Sequence, residues 1–167
     1  MTVLADILQP NLSLVICGSA VGRRSAEAQR YYAGPGNRLW HTLFEVGLTP
    51  TELAPDNARE LLRFGIGLTD LVKDQSGSDP SIRFDHKAAA DLRARILEYC
   101  PAFVCFNGKR AASEFLSPAV VTYGLQREVV GVTAIFVAPS TSAAARRWWD
   151  IAIWRDLARR VRLGAAT

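Results

Sequence analysis

The sequence predicts an α/β fold, a three-layer α/β/α sandwich around a central, mainly parallel four-stranded sheet. Short apolar runs such as residues 12–17 (LSLVIC) and 102–106 (AFVCF) have the length and composition of strands buried on both faces. Amphipathic stretches alternate with these runs along the chain, as expected when helices cover both faces of a parallel sheet. With 167 residues and no internal repeat, residues 1–167 are expected to form one domain.

The first half of the chain predicts one strand, two helical stretches and a less certain segment. After the strand at 12–17, apolar residues recur at helical spacing from Leu39 to Phe44, and residues 56–64 form a second short amphipathic stretch. Residues 65–72 (GIGLTDLV) fit either a short strand or a turn-rich connection. The polar residues 73–81 have the composition of a surface loop.

The second half predicts three helices and two further strands. Asp85 is expected to cap a helix that ends before Pro101. The remaining elements are a strand at 102–106, a short helix at 108–116, a third strand at 129–139 and a final helix at 143–163. In that final helix, Trp148 and Trp149 are predicted to pack in the core.

Composition limits the classes of function. Apolar residues make up 49% and charged residues 22%, which is typical of a folded domain, and the net charge of +4 permits a polyanionic partner without requiring one. The three cysteines are isolated in apolar surroundings and are expected to be reduced and buried, and the two histidines lack metal-ligand neighbours, so no metal is expected. The sequence shows no signal peptide and no apolar span of ~18 residues, which favours a cytoplasmic location and no membrane association.

Three loops are expected to meet at one edge of the sheet, because ligands of parallel α/β sheets bind at the carboxyl ends of the strands. These loops contain GSAVGRRSA, FNGKRAA and APSTSAAARR. Glycines bound the first of them and let its backbone approach a ligand closely. It lacks the glycine pattern of dinucleotide sites and the lysine spacing of nucleoside-triphosphate loops.

Read together, CGSAVGRRS, YYAGPGNRLW, FNGK and APSTSAAA, in this order, resemble the uracil-DNA glycosylase superfamily. The resemblance is nearest to the branch of mismatch-specific uracil/thymine and hypoxanthine-DNA glycosylases, and it extends over nearly the whole chain. It implies an enzyme without metal or redox cofactor that flips a damaged nucleotide out of DNA and hydrolyses its N-glycosidic bond. The implied partner is DNA, double-stranded and containing uracil or another deaminated base, and the protein is expected to act as a monomer.

The resemblance assigns the base pocket. Tyr32 is the expected stacking platform for the flipped base, and the alternative is a loop tyrosine packed on the domain. Asn107 is expected to read a pyrimidine edge with its carboxamide, and the alternative is a cap on the following helix. The backbone N–H groups of Ser19, Ala20 and Tyr32 could donate to base oxygens on which charge accumulates.

Two familiar polar residues are missing from the motifs. Ala20 stands where the family usually has an Asp or Asn that positions water, and Ala138 stands where the third motif usually begins with His or Asn. Asn37, directly after GPG, could hold the attacking water through its side-chain amide, a role that the resemblance to the hypoxanthine-type branch implies for an asparagine near this position, and it is equally a good helix cap. Asp70 is a second candidate that could orient water or offset positive charge on the sugar, although a turn residue is the more ordinary interpretation.

DNA binding is predicted for the third loop and for nearby arginines. Hydroxyl and backbone N–H groups next to a helix N-terminus suit phosphates, and long basic side chains could reach them. The predicted DNA-binding residues are Ser140, Thr141, Ser142, Arg23, Arg24, Arg146 and Arg147. The family's bulky wedge, commonly leucine, is replaced by Ala143–Ala145, so another residue must fill the gap in the duplex.

Uracil removal is the leading functional prediction, and three alternatives stay open. A hypoxanthine-DNA glycosylase fits the nearest motif likeness. A noncatalytic protein that binds lesions or abasic sites fits the alanines at positions 20 and 138. A small nucleotide-binding domain of unrelated chemistry is the weakest alternative.

Overall fold

The structure, a computed structural model, describes residues 1–116 and 120–165 and contains a mostly parallel sheet. Its strands are β1 (Leu14–Gly18), β2 (Ile66–Asp70), β3 (Phe103–Asn107), β4 (Gly124–Val130) and β5 (Thr133–Ala138), in the order β2-β1-β3-β5-β4. Every neighbouring pair is parallel except β4 and β5, which are antiparallel. The predicted α/β class with a mainly parallel sheet is confirmed, with five strands rather than four. Residues 65–72 contain β2, so the short-strand alternative is correct and the turn-rich connection is wrong.

The additional strand arises because residues 129–139, predicted as one strand, form parts of two. Gly131 adopts a φ of +59°, which a glycine tolerates without strain, and the chain reverses there. The strand before the turn is largely exposed and contains Gln126, Arg127 and Glu128, so its apolar pattern is weak. An exposed polar edge strand of this kind is difficult to identify from periodicity.

Helices cover both faces of the sheet. The α-helices are α1 (Arg23–Ala28), α2 (Leu39–Glu45), α3 (His86–Tyr99), α4 (Lys109–Leu116) and α5 (Ile151–Ala165), and 3₁₀ helices span Pro55–Phe64, Asp79–Ser81 and Ala143–Trp148. In β1, Leu14 and Ile16 join the core that contains residues of α2 and α5. Val15 and Cys17 join the opposite core, with residues of α3 and α4. Because successive strand residues point to opposite faces, this division defines the three layers.

Two helix predictions need correction. Helix α1 lies where a loop was predicted after the first strand, and the predicted final helix at 143–163 is interrupted. Trp149 has extended backbone angles (φ −66°, ψ 127°), and the Asp150 side chain accepts a hydrogen bond from the N–H of Ala152 at 3.0 Å, which starts α5 anew. Asp85 does cap α3 as predicted, accepting from the N–H of Ala88 at 2.8 Å.

The interruption also changes the environment of the paired tryptophans. Trp148 is 59% exposed, so its predicted core position is wrong. Trp149 is partly buried, with its ring 6.4 Å from that of Trp154 in the core. Trp148 ends the 3₁₀ helix and Trp149 lies in the extended break before α5, so the two side chains have different environments.

The cysteines only partly match expectation. Cys17 and Cys105 are buried, but Cys100 is exposed because it ends α3 in the left-handed conformation (φ +50°). Within the described ranges, no helix is long and apolar enough to cross a membrane.

Candidate active site

The carboxyl edge of the sheet brings the predicted motifs together. Gly18 at the end of β1 pairs with Asp70 at the end of β2, and Asn107 at the end of β3 pairs with Ala138 in β5. A cleft of about 1340 Å³ opens at this edge. The predicted site residues that line it are Ser19, Ala20, Arg23, Arg24, Tyr32, Asn37, Asp70, Asn107, Ser140, Thr141 and Ser142. Arg146 and Arg147 are exposed and lie outside this lining.

Asp70 ends a strand and is only 3% exposed, so the turn interpretation is wrong. Its carboxylate can reach the cleft because Gly18 has no side chain. A Cβ on Gly18 would lie 2.8 Å from Oδ1 of Asp70 and 3.4 Å from the hydroxyl of Tyr32. The Asp70 carboxylate and the Tyr32 phenol therefore both pack over this glycine.

The environment of Asp70 places its titration near neutrality. The pKa of Asp70 is raised to about 6, chiefly because the carboxyl group is buried; the Lys73 ammonium and the Tyr31 hydroxyl lower this pKa, and the nearby Asp6 carboxylate raises it. The Nζ of Lys73 lies 3.6 Å from Oδ2 of Asp70. At neutral pH, the balance leaves Asp70 mainly ionised, so a buried negative charge stands at the cleft.

Tyr32 adopts an uncommon backbone conformation beside this carboxylate. Its φ of +51° lies in the left-handed region, where a tyrosine is strained and where functional residues are often found. The indole N–H of Trp40 donates to the Tyr32 carbonyl at 3.2 Å and holds the turn in place. The Tyr32 hydroxyl is buried and makes no hydrogen bond within the described residues. Burial raises the pKa of Tyr32, and the Asp70 carboxylate adds to the increase, so the phenol stays protonated.

Asn107 is held by the third loop. Its Nδ2 donates to the Thr141 hydroxyl at 2.9 Å, and its Oδ1 accepts from the Thr141 N–H at 3.0 Å. These bonds join the ends of β3 and β5 rather than capping α4. An asparagine carboxamide has two N–H donors and two acceptor sites, so Thr141 leaves one of each, next to the Tyr32 hydroxyl, whose pKa the Asn107 side chain lowers.

Asn37 lies two residues before α2 and lines the same cleft. Its Oδ1 accepts from the N–H of Leu39 at 3.0 Å, so its side chain caps the first N–H of the helix, although Arg38 occupies the N-cap position itself. The next backbone N–H, that of Arg38, donates to the Thr141 carbonyl at 2.9 Å and ties this loop to the third motif. Capping uses the carbonyl oxygen of Asn37 and leaves its amide group for another partner.

The Ser140–Ser142 segment combines buried and accessible groups. Thr141 is fully buried and holds the loop through Asn107, as described above. Ser140 Oγ accepts from the Ser142 N–H at 3.2 Å, and Ser142 Oγ accepts from the Ala144 N–H at 3.3 Å. Both serine hydroxyls retain a proton that can be donated to a phosphate. The helix that follows is the short 3₁₀ helix Ala143–Trp148, not the long helix predicted.

Several cleft residues escaped the sequence predictions. Lys109, Arg110, Tyr123 and Trp148 also line the cleft. The Nζ of Lys109 lies 4.3 Å from the centre of the Tyr123 ring. The basic pair in FNGKR, directly after Asn107, was a usable signal for the first two. Nothing in the local pattern around Trp148 distinguishes it from a core residue.

Together, the fold and the cleft define an α/β protein whose cleft lies at the carboxyl ends of parallel strands, where α/β proteins bind their ligands, with Asp70, Asn107 and Tyr32 in its lining. The family model of the uracil DNA glycosylase superfamily matches residues 5–158. The structure is similar to the solution NMR structure of a candidate uracil DNA glycosylase from Methanosarcina acetivorans. That comparison has a TM-score of 0.68 at 25% sequence identity and covers 95% of this chain and 96% of the other.

The chain belongs to the uracil DNA glycosylase superfamily, as its motifs predicted. Membership supports DNA glycosylase function, with DNA as the substrate and DNA repair as the process.

Proposed function

We propose that the protein is a monofunctional DNA glycosylase that flips uracil out of double-stranded DNA and hydrolyses its N-glycosidic bond, leaving an abasic site for base excision repair. One observation carries the proposal: Tyr32, Asn37, Asp70 and Asn107 line the same cleft at the carboxyl edge of the sheet. A flipped base needs a stacking surface and hydrogen-bonding groups, and the bond to be broken needs water and charge stabilisation.

Asn107 and Tyr32 are the proposed base-binding residues. The donor and acceptor of Asn107 that Thr141 leaves available suit a pyrimidine edge that presents one carbonyl and one N–H. The Tyr32 ring, fixed by its strained backbone, is the stacking surface. The backbone N–H groups of Ser19 and Ala20 are the proposed donors to base oxygens, because both residues line the cleft at the start of the first loop.

Asn37 and Asp70 are the proposed catalytic residues. As the C1′–N bond breaks, the base leaves with the electron pair and the sugar becomes an oxocarbenium ion. The Asn37 amide holds a water that adds to C1′, and the proton lost from that water neutralises the departing base. The Asp70 carboxylate, ionised above about pH 6, offsets the positive charge on the sugar. In this proposal, Asn37 and Asp70 take the roles of the polar residues that the family usually has where this chain has Ala20 and Ala138.

Trp148 is the proposed residue that fills the gap in the duplex. It is large, apolar and mostly exposed, and it lines the cleft at the end of the segment that begins with three alanines. An aromatic ring can insert where a base has left the stack and recover stacking energy. The proposed phosphate contacts come from Ser140, Ser142, Arg23 and Arg24 in the cleft, and from Arg146 and Arg147 beside the wedge.

The test is a single-turnover assay of free-base release from duplexes that contain U·G, U·A or I·T pairs, with matched single strands. We expect release of uracil, and Asp70→Asn protein purified in parallel controls for contaminating activity. Release of hypoxanthine alone would overturn the uracil assignment and support the alternative suggested by the nearest motif likeness. Binding of lesion duplexes without any base release would support the noncatalytic alternative suggested by Ala20 and Ala138.

A further inference from the structure

A group of charged side chains lies around Asp70 on the side of the N-terminal segment. Lys73 is at its centre, with its Nζ 2.7 Å from Oδ1 of Asp6 and donating to the Tyr31 hydroxyl at 3.0 Å. The same Nζ lies 3.6 Å from Oδ2 of Asp70. The Lys73 side chain is 18% exposed, so these contacts are only weakly screened by water.

Asp6 is itself fixed from two sides. The Thr69 hydroxyl donates to its Oδ1 at 2.7 Å, and Nη1 of Arg95 lies 3.4 Å from its Oδ2. Arg95 also donates to the Thr69 hydroxyl and, at 3.1 Å, to the carbonyl of Asp70. Two carboxylates and two cations therefore connect the N-terminal segment, β2 and α3 in one network.

The network lies behind the cleft rather than in it. Asp70 and Tyr31 line the cleft, whereas Asp6, Lys73 and Arg95 are not part of its lining. The Lys73 ammonium therefore contacts Asp70 and not the ligand space. Any influence of Lys73 on the reaction must act through Asp70 or Tyr31, the two cleft residues that its ammonium contacts.

We propose that Lys73, held by Asp6 and Tyr31, is a positioning residue that keeps the Asp70 carboxylate charged and turned towards Gly18 and the cleft. This inference rests on the proposed function, in which the Asp70 carboxylate offsets charge on the sugar. The ammonium lies at ion-pair distance from Oδ2, which has no hydrogen-bond partner among the described residues, while Oδ1 packs against Gly18 in the cleft lining.

The network predicts that loss of the Lys73 charge and loss of the Asp6 charge shift the pKa of Asp70 in opposite directions. The titratable and charged groups that influence Asp70 are Asp6, Cys17, Tyr31, Tyr32, Lys73 and Arg95. Removing the Lys73 charge takes away the largest cause that lowers the pKa of Asp70, so this pKa rises. Removing the Asp6 charge takes away one of the two causes that raise the pKa of Asp70 and leaves the Lys73 ammonium in place, so this pKa falls. General loss of structure would not move the two variants in opposite directions.

The experiment is the pH profile of single-turnover uracil excision for the wild type, Lys73→Met, Lys73→Arg and Asp6→Asn. We expect a wild-type midpoint near pH 6, displaced upward by about one unit or more in Lys73→Met and downward in Asp6→Asn. Lys73→Arg should restore the wild-type midpoint. Lys87→Met is the matched control, because Lys87 is an exposed lysine paired with Asp91 on α3, and its midpoint should not move.

Midpoints that stay together in all four folded proteins, with lower rates at every pH, would overturn the inference and leave Lys73 a structural role only. The Asp70 pKa can also be measured without activity, by carboxyl-carbon NMR titration of the same variants labelled at aspartate. If the wild type releases no base, the proposed function fails, and the NMR titration still decides whether Lys73 and Asp6 shift Asp70 in opposite directions. Thermal unfolding of each variant identifies any that do not fold, and if Lys73→Met is one of them, the neutral Lys73→Gln takes its place in the comparison with Asp6→Asn.

Discussion

Asn37 shows how one side chain can serve both the fold and the proposed chemistry. Its carbonyl oxygen accepts from the N–H of Leu39 and stabilises the start of α2. Its amide group is chemically distinct from that oxygen and is not needed for the cap. Because the residue also lines the cleft, capping and water binding do not compete.

Asn37→Ala should therefore reduce both the excision rate and the stability of the fold. We expect excision to fall by about 100-fold or more, since the attacking water loses its donor, and stability to fall by about 1 kcal/mol, since the cap is lost. DNA binding, measured by fluorescence anisotropy on an undamaged duplex, should be unchanged.

Asn37→Ser separates the two contributions. Serine is a good cap, so we expect thermal stability near that of the wild type with excision as poor as in the alanine variant. If Asn37→Ser excises at the native rate, the amide has no catalytic role and Asn37 is a cap alone.

For single residues, the sequence predicted which side chains lie together at the cleft but not which groups each side chain contacts. Asn107 and Asp70 follow apolar runs and so could be placed at strand ends. The burial of Asp70 against Gly18 and its ion pair with Lys73 depend on tertiary packing between segments far apart in the chain. The link from Asp6 to Thr69 joins residues 63 positions apart, which no local pattern encodes.

At the scale of elements, the segment after β5 has the greatest functional consequence. Apolar residues continue at helical spacing through 143–163, so a single helix was the natural prediction. Two competing caps divide it, because Ser142 begins the 3₁₀ helix and Asp150 begins α5. The division exposes Trp148 at the cleft while Trp149 remains near the core and under the Arg38 guanidinium, 5.2 Å from its ring centre.

Trp148→Ala should impair excision from duplexes and spare excision from single strands. A single strand has no stack to be filled, so only the duplex reaction depends on the inserted ring. We expect roughly a ten-fold loss on duplexes, since stacking on an aromatic side chain contributes about 1–3 kcal/mol per base. Single-turnover rates on paired and unpaired substrates of the same sequence give the measurement.

Trp148→Phe keeps an aromatic ring and should retain most of the duplex activity. Equal losses on duplex and single strand in Trp148→Ala would show that the residue shapes the cleft rather than the stack. Fluorescence of a 2-aminopurine placed opposite the lesion provides a second readout, since an inserted ring changes its stacking.

For the whole molecule, the position of charge matters more than its amount. The net charge of +4 is modest, and it did not by itself predict a nucleic-acid partner. The fold brings Arg23, Arg24, Lys109 and Arg110 to one cleft, although they come from two distant segments. Their arrangement around the carboxyl edge follows from strand order, in which β1 lies beside β3. The net charge therefore underestimates the positive electrostatic potential at the cleft, where DNA would bind.

This charge distribution predicts how DNA affinity responds to salt. Each phosphate neutralised by a lysine or arginine releases condensed counterions, so the slope of log affinity against log salt reports the number of such contacts. Arg23→Ala should weaken binding of undamaged duplexes and make this slope less steep by about 1, with no change in sequence preference.

Arg59→Ala is the matched control, because Arg59 is exposed on the 3₁₀ helix Pro55–Phe64 and outside the cleft lining. It removes the same formal charge, so a purely global charge effect would change both slopes equally. Equal slopes for the two variants, measured by anisotropy between 50 and 200 mM salt, would mean that Arg23 is a solvated surface residue and that the DNA backbone does not pass along this side of the cleft.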